Sequence, residues 1–243
     1  MGDSWNKEKE KFGDIIKKYS VKDAWDIVDI FEKKIAEYSG SKYAVSVDNC
    51  TDALFLCLKY LNYTDEVIVP SRTYVSVPCT IINAGAKVKF KDIEWSGAYQ
   101  LEPTPIYDGA VRFKRGMYNK GTYHCLSFHI RKHIPIGKGG MILTDSEDAY
   151  NWFKLARYEG RHMDTLYKDD TFDMVGWNMY LTPEQAAKGL ELFEKLGDDN
   201  PDQESSGTCK DLSKFDIYEK ANRGDEIIST PVPHEPKEEW LKK

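Results

Sequence analysis

The sequence predicts an α/β fold, built on a mixed, mostly parallel sheet that is flanked by helices. Between residues 43 and 92, short apolar runs typical of buried strands alternate with longer segments typical of helices. The resulting strand–helix–strand–helix–strand order favours parallel strands joined by right-handed crossovers. Gly85 falls where the second of these helices should end, and Gly40 ends an earlier predicted helix.

The first half of the chain contains a regular succession of predicted elements. A charged helix is expected at residues 8–18, and an amphipathic helix at residues 21–38, where Trp25, Val28 and Phe31 recur at helical spacing. Thr51 is placed as the N-cap of the next helix. The elements that follow residue 38 are a strand at 43–47, a helix at 53–61, a strand at 66–69, a helix at 75–84 and a strand at 87–90.

The second half of the chain is less regular. Its helix at residues 182–196 starts with Thr-Pro, which suits a first helical turn. Residues 197–210 are polar and rich in turn-forming residues, so we expect an exposed loop there. The other expected elements are strands at 106–107, 124–128 and 141–144, a helix at 147–158, a candidate helix at 212–222 and a loosely packed tail at 225–243.

Composition and charge narrow the possible classes of function. With 41% hydrophobic and 30% charged residues, the chain has the make-up of a globular protein, and no apolar run could span a bilayer. A net charge of -6 with scattered basic residues argues against nucleic acid as a ligand. The five cysteines are dispersed and form no CxxC pair, which indicates reduced thiols. Because an HExxH motif is also absent, we expect no metal site. We therefore expect a cytoplasmic protein without membrane contact.

A lysine and a carboxylate each follow a predicted strand. Lys132 lies in the loop after Ser127, in the run Ser-Phe-His-Ile-Arg-Lys, and Asp108 ends a short apolar strand. Ligands of open α/β sheets bind at the carboxyl ends of strands. However, a lysine in a basic loop is more often solvated than catalytic, and an aspartate before a glycine often forms only a turn. Each residue alone is therefore compatible with a structural role.

Two further segments could contact a ligand. Thr51 and Asp52 lie at a strand-to-helix turn, where free backbone N–H groups favour an anion such as phosphate. The alternative for this turn is a simple helix cap. Tyr74 follows the next strand and could equally be an ordinary core ring.

Taken together, these segments resemble the DegT/DnrJ/StrS family of pyridoxal-phosphate-dependent nucleotide-sugar aminotransferases. Ser-Phe-His-x-x-Lys in the company of the other segments is the specific part of the resemblance. It implies a fold-type I transferase, with residues 1–160 as the cofactor-binding large domain and residues 161–243 as a reduced C-terminal region and tail. The similar stretches are residues 31–45, 49–54, 65–70, 73–76, 85–92, 127–132 with Gly139 and Gly140, 176–182 and 185–187.

The resemblance implies an activity and two catalytic residues. Lys132 falls on the family's Schiff-base lysine, which holds pyridoxal phosphate and shuttles a proton. Asp108 falls on the carboxylate that faces the pyridine nitrogen. The implied reaction transfers an amino group, usually from glutamate, to a keto group of a nucleotide-linked sugar. Lysine at this position also argues against the related dehydratase branch, in which histidine replaces it.

Five further residues acquire cofactor-binding roles through the resemblance. Ser127 matches a hydroxyl that binds the cofactor phosphate, and Thr51 and Asp52 match helix-start residues whose N–H groups surround the same phosphate. Tyr74 matches the aromatic ring stacked on the pyridine. Asn178 matches a residue that the partner chain contributes, which implies a homodimer with shared active sites.

Three features depart from the pattern of the family. After Asp108 the sequence reads Gly-Ala-Val, without the histidine or glutamine that the family usually carries there. The stretch from Asp92 to Asp108 is much shorter than in typical members, so we expect a missing strand and an unpaired sheet edge. After Leu196 only a loop, one helix and a tail remain where relatives carry a small domain that closes over the substrate, so we expect a wetter site.

These departures leave three hypotheses. The leading one is an aminotransferase that acts on a nucleotide sugar. The second is a catalytically impaired relative that keeps the cofactor-binding fold and serves as a binding or regulatory subunit. The third is a different pyridoxal-phosphate reaction, such as dehydration or decarboxylation, which needs only the same cofactor site.

Overall fold

A computed structural model of the chain describes residues 12–197 and 199–225. The strands are β1 (Tyr43–Val47), β2 (Glu66–Pro70), β3 (Lys87–Lys91), β4 (Tyr99–Leu101), β5 (Ile106–Asp108), β6 (Tyr123–Ser127) and β7 (Gly140–Thr144). The α-helices are α1 (Gly13–Tyr19), α2 (Ala24–Ser39), α3 (Cys50–Tyr60), α4 (Ser76–Asn83), α5 (Glu147–Ala156), α6 (Pro183–Glu194) and α7 (Ile217–Arg223). In these two stretches no helix is both long enough and apolar enough to cross a membrane.

Seven strands form an almost continuous sheet. Five of them lie in the order β1-β7-β6-β5-β4, and β2 and β3 pair in parallel beside β4. Ile68 of β2 and Glu102 exchange two backbone hydrogen bonds of 2.7 and 3.0 Å, which join the two sets. Five strands run in one direction, whereas β4 and β7 run in the other. The predicted α/β fold with a mixed sheet flanked by helices is confirmed, and most strands share one direction, although only two of the five ladders, β2–β3 and β5–β6, are parallel.

Helices bury apolar side chains on both faces of the sheet. Helices α3, α4 and α5 pack on one face, against residues such as Val45 and Ile142. Helices α2 and α6 pack on the other face, against Leu126 and Leu143. Helix α2 ends at Gly40, which adopts a φ of 82° as the sequence predicted. The amphipathic helices thus cover both faces of the strands whose ends carry the site.

Several predicted details differ from the structure. The N-cap of α3 is Asn49, so the predicted cap at Thr51 is wrong. The candidate helix at 212–222 divides into a 3-10 turn, Leu212–Lys214, and the shorter helix α7. The charged helix predicted at 8–18 is observed as Gly13–Tyr19, and its first residues, like the predicted tail beyond Asp225, lie outside the described residues.

The unpaired sheet edge expected between β5 and β2 does not occur. Strand β4 is only three residues long, but it pairs antiparallel with β5, so that Tyr99 lies opposite Asp108. The residue after β4, Glu102, binds Ile68 of β2. This short strand therefore supplies the donors and acceptors that its neighbours would otherwise lack.

A buried charge network joins α2, β1 and the end of α5. Glu32 and Arg157 form an ion pair, and both are almost inaccessible to solvent, at 3% and 0% exposure. Glu32 also accepts hydrogen bonds from the N–H and hydroxyl of Ser46, at 2.8 and 2.7 Å. Burial alone would raise the pKa of Glu32, but attraction to Arg157 and Lys154 and the Ser46 N–H together lower it to about 2.

Residues 199–212, called the strap below, lie across the edge of the sheet near β4 and β5. Asn200 is 8% exposed and donates to the hydroxyl of Tyr38 at 2.8 Å. The exposed loop predicted at 197–210 is therefore confirmed in part: seven of its thirteen described residues are exposed, five are partly buried and Asn200 is buried. The predicted domain boundary at residue 160 stays a prediction. Four backbone hydrogen bonds fix the strap: Gln203 N–H to Val111 C=O (3.0 Å), Gly97 N–H to Glu204 C=O (3.2 Å), Ser206 N–H to Trp95 C=O (3.0 Å) and Leu212 N–H to Ser71 C=O (2.8 Å).

Candidate active site

A cavity of about 530 Å³ opens at the carboxyl ends of β1, β5 and β6. Strands β5 and β6 are parallel neighbours, so their last residues, Asp108 and Ser127, lie at the same edge of the sheet. Asp52 and Asn178 are not part of the cavity wall. The sequence-predicted residues that do line it are Thr51, Tyr74, Asp108, Ser127 and Lys132.

Asp108 is held at the end of β5 by two hydrogen bonds. It is 6% exposed and accepts hydrogen bonds from the Tyr99 hydroxyl at 2.8 Å and the Ala110 N–H at 2.9 Å. The Cys50 thiol lies 4.0 Å from Oδ1, the same carboxylate oxygen that Ala110 binds. Burial raises the pKa of Asp108 above its usual range, although both hydrogen bonds oppose the rise. The carboxyl is therefore fixed in position and holds a proton more readily than a solvated aspartate.

Tyr99 connects Asp108 to the neighbouring strand. Its hydroxyl contacts Asp108 and also forms a hydrogen bond with the hydroxyl of Thr73, which follows β2. Burial and the charge of Asp108 raise the pKa of Tyr99 well above its usual range. Tyr99 is therefore neutral and acts as a permanent donor towards the carboxylate.

Lys132 lies in the loop that follows β6. Its N–H donates to the His129 C=O at 2.8 Å, and the Phe128 N–H donates to the Gly139 C=O at 2.8 Å where the loop closes. The side chain of Lys132 is 14% exposed, and its Nζ lies 3.7 Å from Oε1 of Glu204 in the strap. The amine is thus inside the cavity, opposite a carboxylate.

The first turn of α3 borders the cavity. Asn49 caps the helix by accepting from the Asp52 N–H at 2.9 Å, and its amide donates to the Asp52 carboxylate at 2.6 Å. The pKa of Asp52 is raised to about 7, mainly by burial and in addition by the nearby Asp48. Cys50 and Thr51, which precede Asp52 in the first turn, line the cavity, and N–H groups at these positions have no acceptor within a helix.

Three hydroxyl groups, from Thr51, Ser76 and Ser127, belong to the same cavity wall. Thr51 donates to Ser76 at 2.9 Å. The start of β7 approaches α3 so closely that a side chain at Gly140 would lie 2.5–2.7 Å from the backbone of Asn49 and Cys50. Glycine is therefore required at this position, and the helix start is held against the strand end. Hydroxyl groups beside a helix N-terminus are suited to bind an anion.

Two predicted residues lie at the periphery or outside the cavity. Tyr74 lines the cavity but is 68% exposed. Ile130, which lies two residues before Lys132 in the chain, is similarly exposed at 65%. Asn178 donates to Glu159 at 2.7 Å, away from the cavity wall.

Among the residues of the cavity wall that sequence reasoning missed are Trp95, Tyr99 and Glu204. The alternation of Tyr99, Gln100 and Leu101 is the one signal of a half-buried strand, but it extends over only three residues. No pattern in the polar strap indicates that Glu204 reaches Lys132.

Comparisons with known proteins agree with the resemblance seen in the sequence. The chain matches the profile of the DegT/DnrJ/EryC1/StrS aminotransferase family over residues 4–111 and 107–208. GDP-perosamine synthase from Vibrio cholerae is 39% identical over 233 residues, which cover 78% of this chain and 63% of that protein. Spore coat polysaccharide biosynthesis protein SpsC from Bacillus subtilis (strain 168) is 26% identical over 220 residues, 69% of this chain and 56% of that protein. The chain thus spans less than two thirds of the length of either relative.

Solved structures show the same fold. AtS13 from Actinomadura melliaura has a TM-score of 0.62 at 21% identity, over 69% of this chain and 59% of that one. DesV from S. venezuelae has a TM-score of 0.60 at 20% identity, over 79% of this chain and 63% of that one. These likenesses support the fold-type I architecture that the resemblance predicted. Because the family profile matches most of the chain, the protein belongs to the DegT/DnrJ/EryC1/StrS aminotransferase family.

Proposed function

We propose that the protein is a pyridoxal-phosphate-dependent aminotransferase that transfers an amino group, from glutamate, to a keto group of a nucleotide-linked sugar. The observation that carries this proposal is the cavity, where Lys132, Asp108 and a hydroxyl-lined helix start meet. These are a primary amine, a buried carboxyl group and an anion site. Family membership supports the same reaction class.

The cavity wall fits the cofactor chemically. Bound pyridoxal phosphate would supply an aldehyde carbon and an electron-withdrawing ring. Lys132 would hold the cofactor covalently and carry a proton to and from the substrate carbon. Asp108, oriented by Tyr99 and Ala110, would hold a proton at the pyridine nitrogen.

The hydroxyl-lined end of the cavity would receive the phosphate. Thr51 and Ser127 present hydroxyl groups there, and Tyr74 would cover the ring at the entrance. The N–H of Asp52 already binds the side chain of Asn49, so this N–H could reach a phosphate only if the cap moved. The hydroxyl groups and the first two N–H groups of α3 are therefore the better candidates for phosphate binding.

The nucleotide-sugar substrate is inferred from the relatives. GDP-perosamine synthase is the name of the relative from Vibrio cholerae and also of one from Caulobacter vibrioides, which is 29% identical over 210 residues. GDP-perosamine is therefore a suitable probe for the reaction in reverse, as an amino-group donor.

An absorption spectrum tests the reaction class. Purified protein with added pyridoxal phosphate should show a visible band that depends on Lys132, because the band reports the covalent bond to this amine. L-glutamate or GDP-perosamine should bleach the band as the amino group moves to the cofactor. A stable band that neither compound bleaches would favour a different pyridoxal-phosphate reaction. Copurification with a longer homologous chain, and no reaction with any amino donor, would favour the binding-subunit hypothesis.

The proposal includes a homodimer with shared sites. Large apolar side chains are exposed close to Asn178 in sequence, with Tyr167 at 68%, Phe172 at 56% and Val175 at 92%. Tyr74 is similarly exposed at the cavity entrance. Apolar groups in this number favour association between copies of the chain. A second copy would bring its own Asn178 to the site, which explains why Asn178 does not reach the cavity of its own chain.

Mixing two damaged variants should restore activity if the sites are shared. Lys132→Ala and Asn178→Ala are each expected to be impaired alone. In a mixed dimer, one site would combine the intact Lys132 of one chain with the intact Asn178 of the other. Random exchange should therefore give roughly a quarter of the wild-type activity. Amino transfer measured before and after subunit exchange checks this, and a mixture no better than the average of the two variants would contradict a shared site.

A further inference from the structure

The strap fixes its residue Glu204 from both sides. Its neighbours in sequence, Gln203 and Ser206, donate backbone hydrogen bonds of 3.0 Å to Val111 and Trp95, and Gly97 donates to the carbonyl group of Glu204 itself at 3.2 Å. The backbone of this segment therefore has little freedom. This attachment directs the side chain of Glu204 towards the cavity.

Asp202 anchors the strap through its side chain. It accepts from Arg112 Nε at 2.9 Å and Nη2 at 2.6 Å, and its carboxylate lies 3.2 Å from Lys114 Nζ. The Arg112 hydrogen bonds, aided by Lys114 and opposed by burial, lower the pKa of Asp202 to about 2. A Cβ added at Gly97 would lie 2.3–2.5 Å from this carboxylate. The strap can therefore dock in this way only because residue 97 has no side chain.

Glu204 places a negative charge at the reacting amine. Its Oε1 lies 3.7 Å from Lys132 Nζ, and its side chain remains 42% exposed within the cavity opening. The carboxylate is near enough to contribute to the raised pKa of Asp108. A molecule that reacts at Lys132 must therefore place part of its own structure beside the Glu204 carboxylate.

We propose that Glu204 is a specificity-determining residue, which favours partners with hydroxyl groups beside the reacting carbon over partners with a carboxylate there. A carboxylate accepts hydrogen bonds from hydroxyl groups and repels another carboxylate. A sugar presents hydroxyl groups beside its amino or keto carbon, whereas an amino acid presents its α-carboxylate. This inference rests on the proposed function, and it assigns a residue of the strap to recognition of the sugar.

Glu204→Gln removes the charge and keeps the shape of the side chain. Without the negative charge of Glu204, the α-carboxylate of L-glutamate is repelled less at a separation of about 4 Å. The second-order rate constant for bleaching by L-glutamate should therefore rise about fivefold. The rate constant for GDP-perosamine should fall by about the same factor, because an amide is a weaker acceptor for sugar hydroxyl groups than a carboxylate. A purely structural role of Glu204 would move both rate constants in the same direction.

Two further variants test the role of the strap. Asp199→Asn is the matched control, since Asp199 is an exposed acid of the same strap, and it should change neither rate constant. Gly97→Ala should shift selectivity in the same direction as Glu204→Gln, because the clash with Asp202 displaces the strap while Glu204 remains.

The outcomes separate this inference from the function on which it rests. If wild-type protein forms no Lys132-dependent band, the proposed function fails and this inference fails with it. If the band forms and both compounds bleach it, but Glu204→Gln leaves the ratio of the two rate constants unchanged, only the role of Glu204 is refuted.

Discussion

Replacing Lys132 by alanine is expected to abolish amino transfer while leaving the fold intact. The variant lacks the amine that would bind the cofactor covalently and move the proton, and loss of such a group reduces rates by roughly 10³-fold or more. The only ion pair found for this side chain within the described residues is the 3.7 Å contact with Glu204. The free energy of unfolding should therefore change by only about 1 kcal/mol.

The measurements are the visible absorption band with added pyridoxal phosphate, the rate of its bleaching by glutamate, and urea-induced unfolding. Lys120→Ala is the matched control, because Lys120 is an exposed lysine that does not line the cavity. It should behave as the wild type in all three measurements. A Lys132→Ala variant that retained both the band and the bleaching would refute the assignment of Lys132.

Glu32→Gln is expected to cause the largest loss of stability. The substitution leaves the guanidinium of Arg157, which is 0% exposed, without its charged partner. Breaking a buried ion pair from one side costs about 3–5 kcal/mol. Chemical unfolding at neutral pH measures the loss, and Glu37→Gln, an exposed position on the same helix, should change the free energy of unfolding by less than about 0.5 kcal/mol.

The same pair predicts a dependence of stability on pH. The pKa of Glu32 is about 2 in the folded chain, below its ordinary value of 4.5. Stabilisation by the ionised group is therefore complete above pH 4.5 and is lost as the pH falls towards 2, by about 3 kcal/mol in total. The difference in stability between wild type and Glu32→Gln should shrink over this range. A difference that stayed constant from pH 5 to pH 2 would contradict the assigned pKa.

The parts of the fold that local sequence determines were predictable. The strand Tyr43–Val47 is an apolar run interrupted only by Ser46, and Gly40 ends the helix before it with the left-handed backbone that glycine adopts readily. Strand β4 could not be predicted in the same way. Its three residues form a strand because β5 and Glu102 supply partners, and these contacts are not encoded in the segment itself.

The candidate site shows the same division. Asp108 and Ser127 lie at or within the ends of predicted strands and Lys132 follows one, so the sheet alone is enough to bring them to one edge. Glu204 comes from a polar segment without periodicity, and its position depends on hydrogen bonds to residues about a hundred positions earlier in the chain. Asn49, and not Thr51, is the N-cap because its side chain lies one residue before the helix, where it can accept from the N–H of Asp52.

The direction of β4 is a consequence of chain length. Only residues 102–105 join β4 to β5, whereas a crossover between parallel strands needs about a dozen residues or more. A connection this short permits only antiparallel pairing with β5. Since a ladder requires only alternating donors and acceptors, the hydrogen bonding continues from β1 to β3, through the bridge between Ile68 and Glu102, whichever way this strand points. The sheet can therefore tolerate a large change in the length of the β3–β5 connection without displacing the strand ends that carry Asp108 and Ser127.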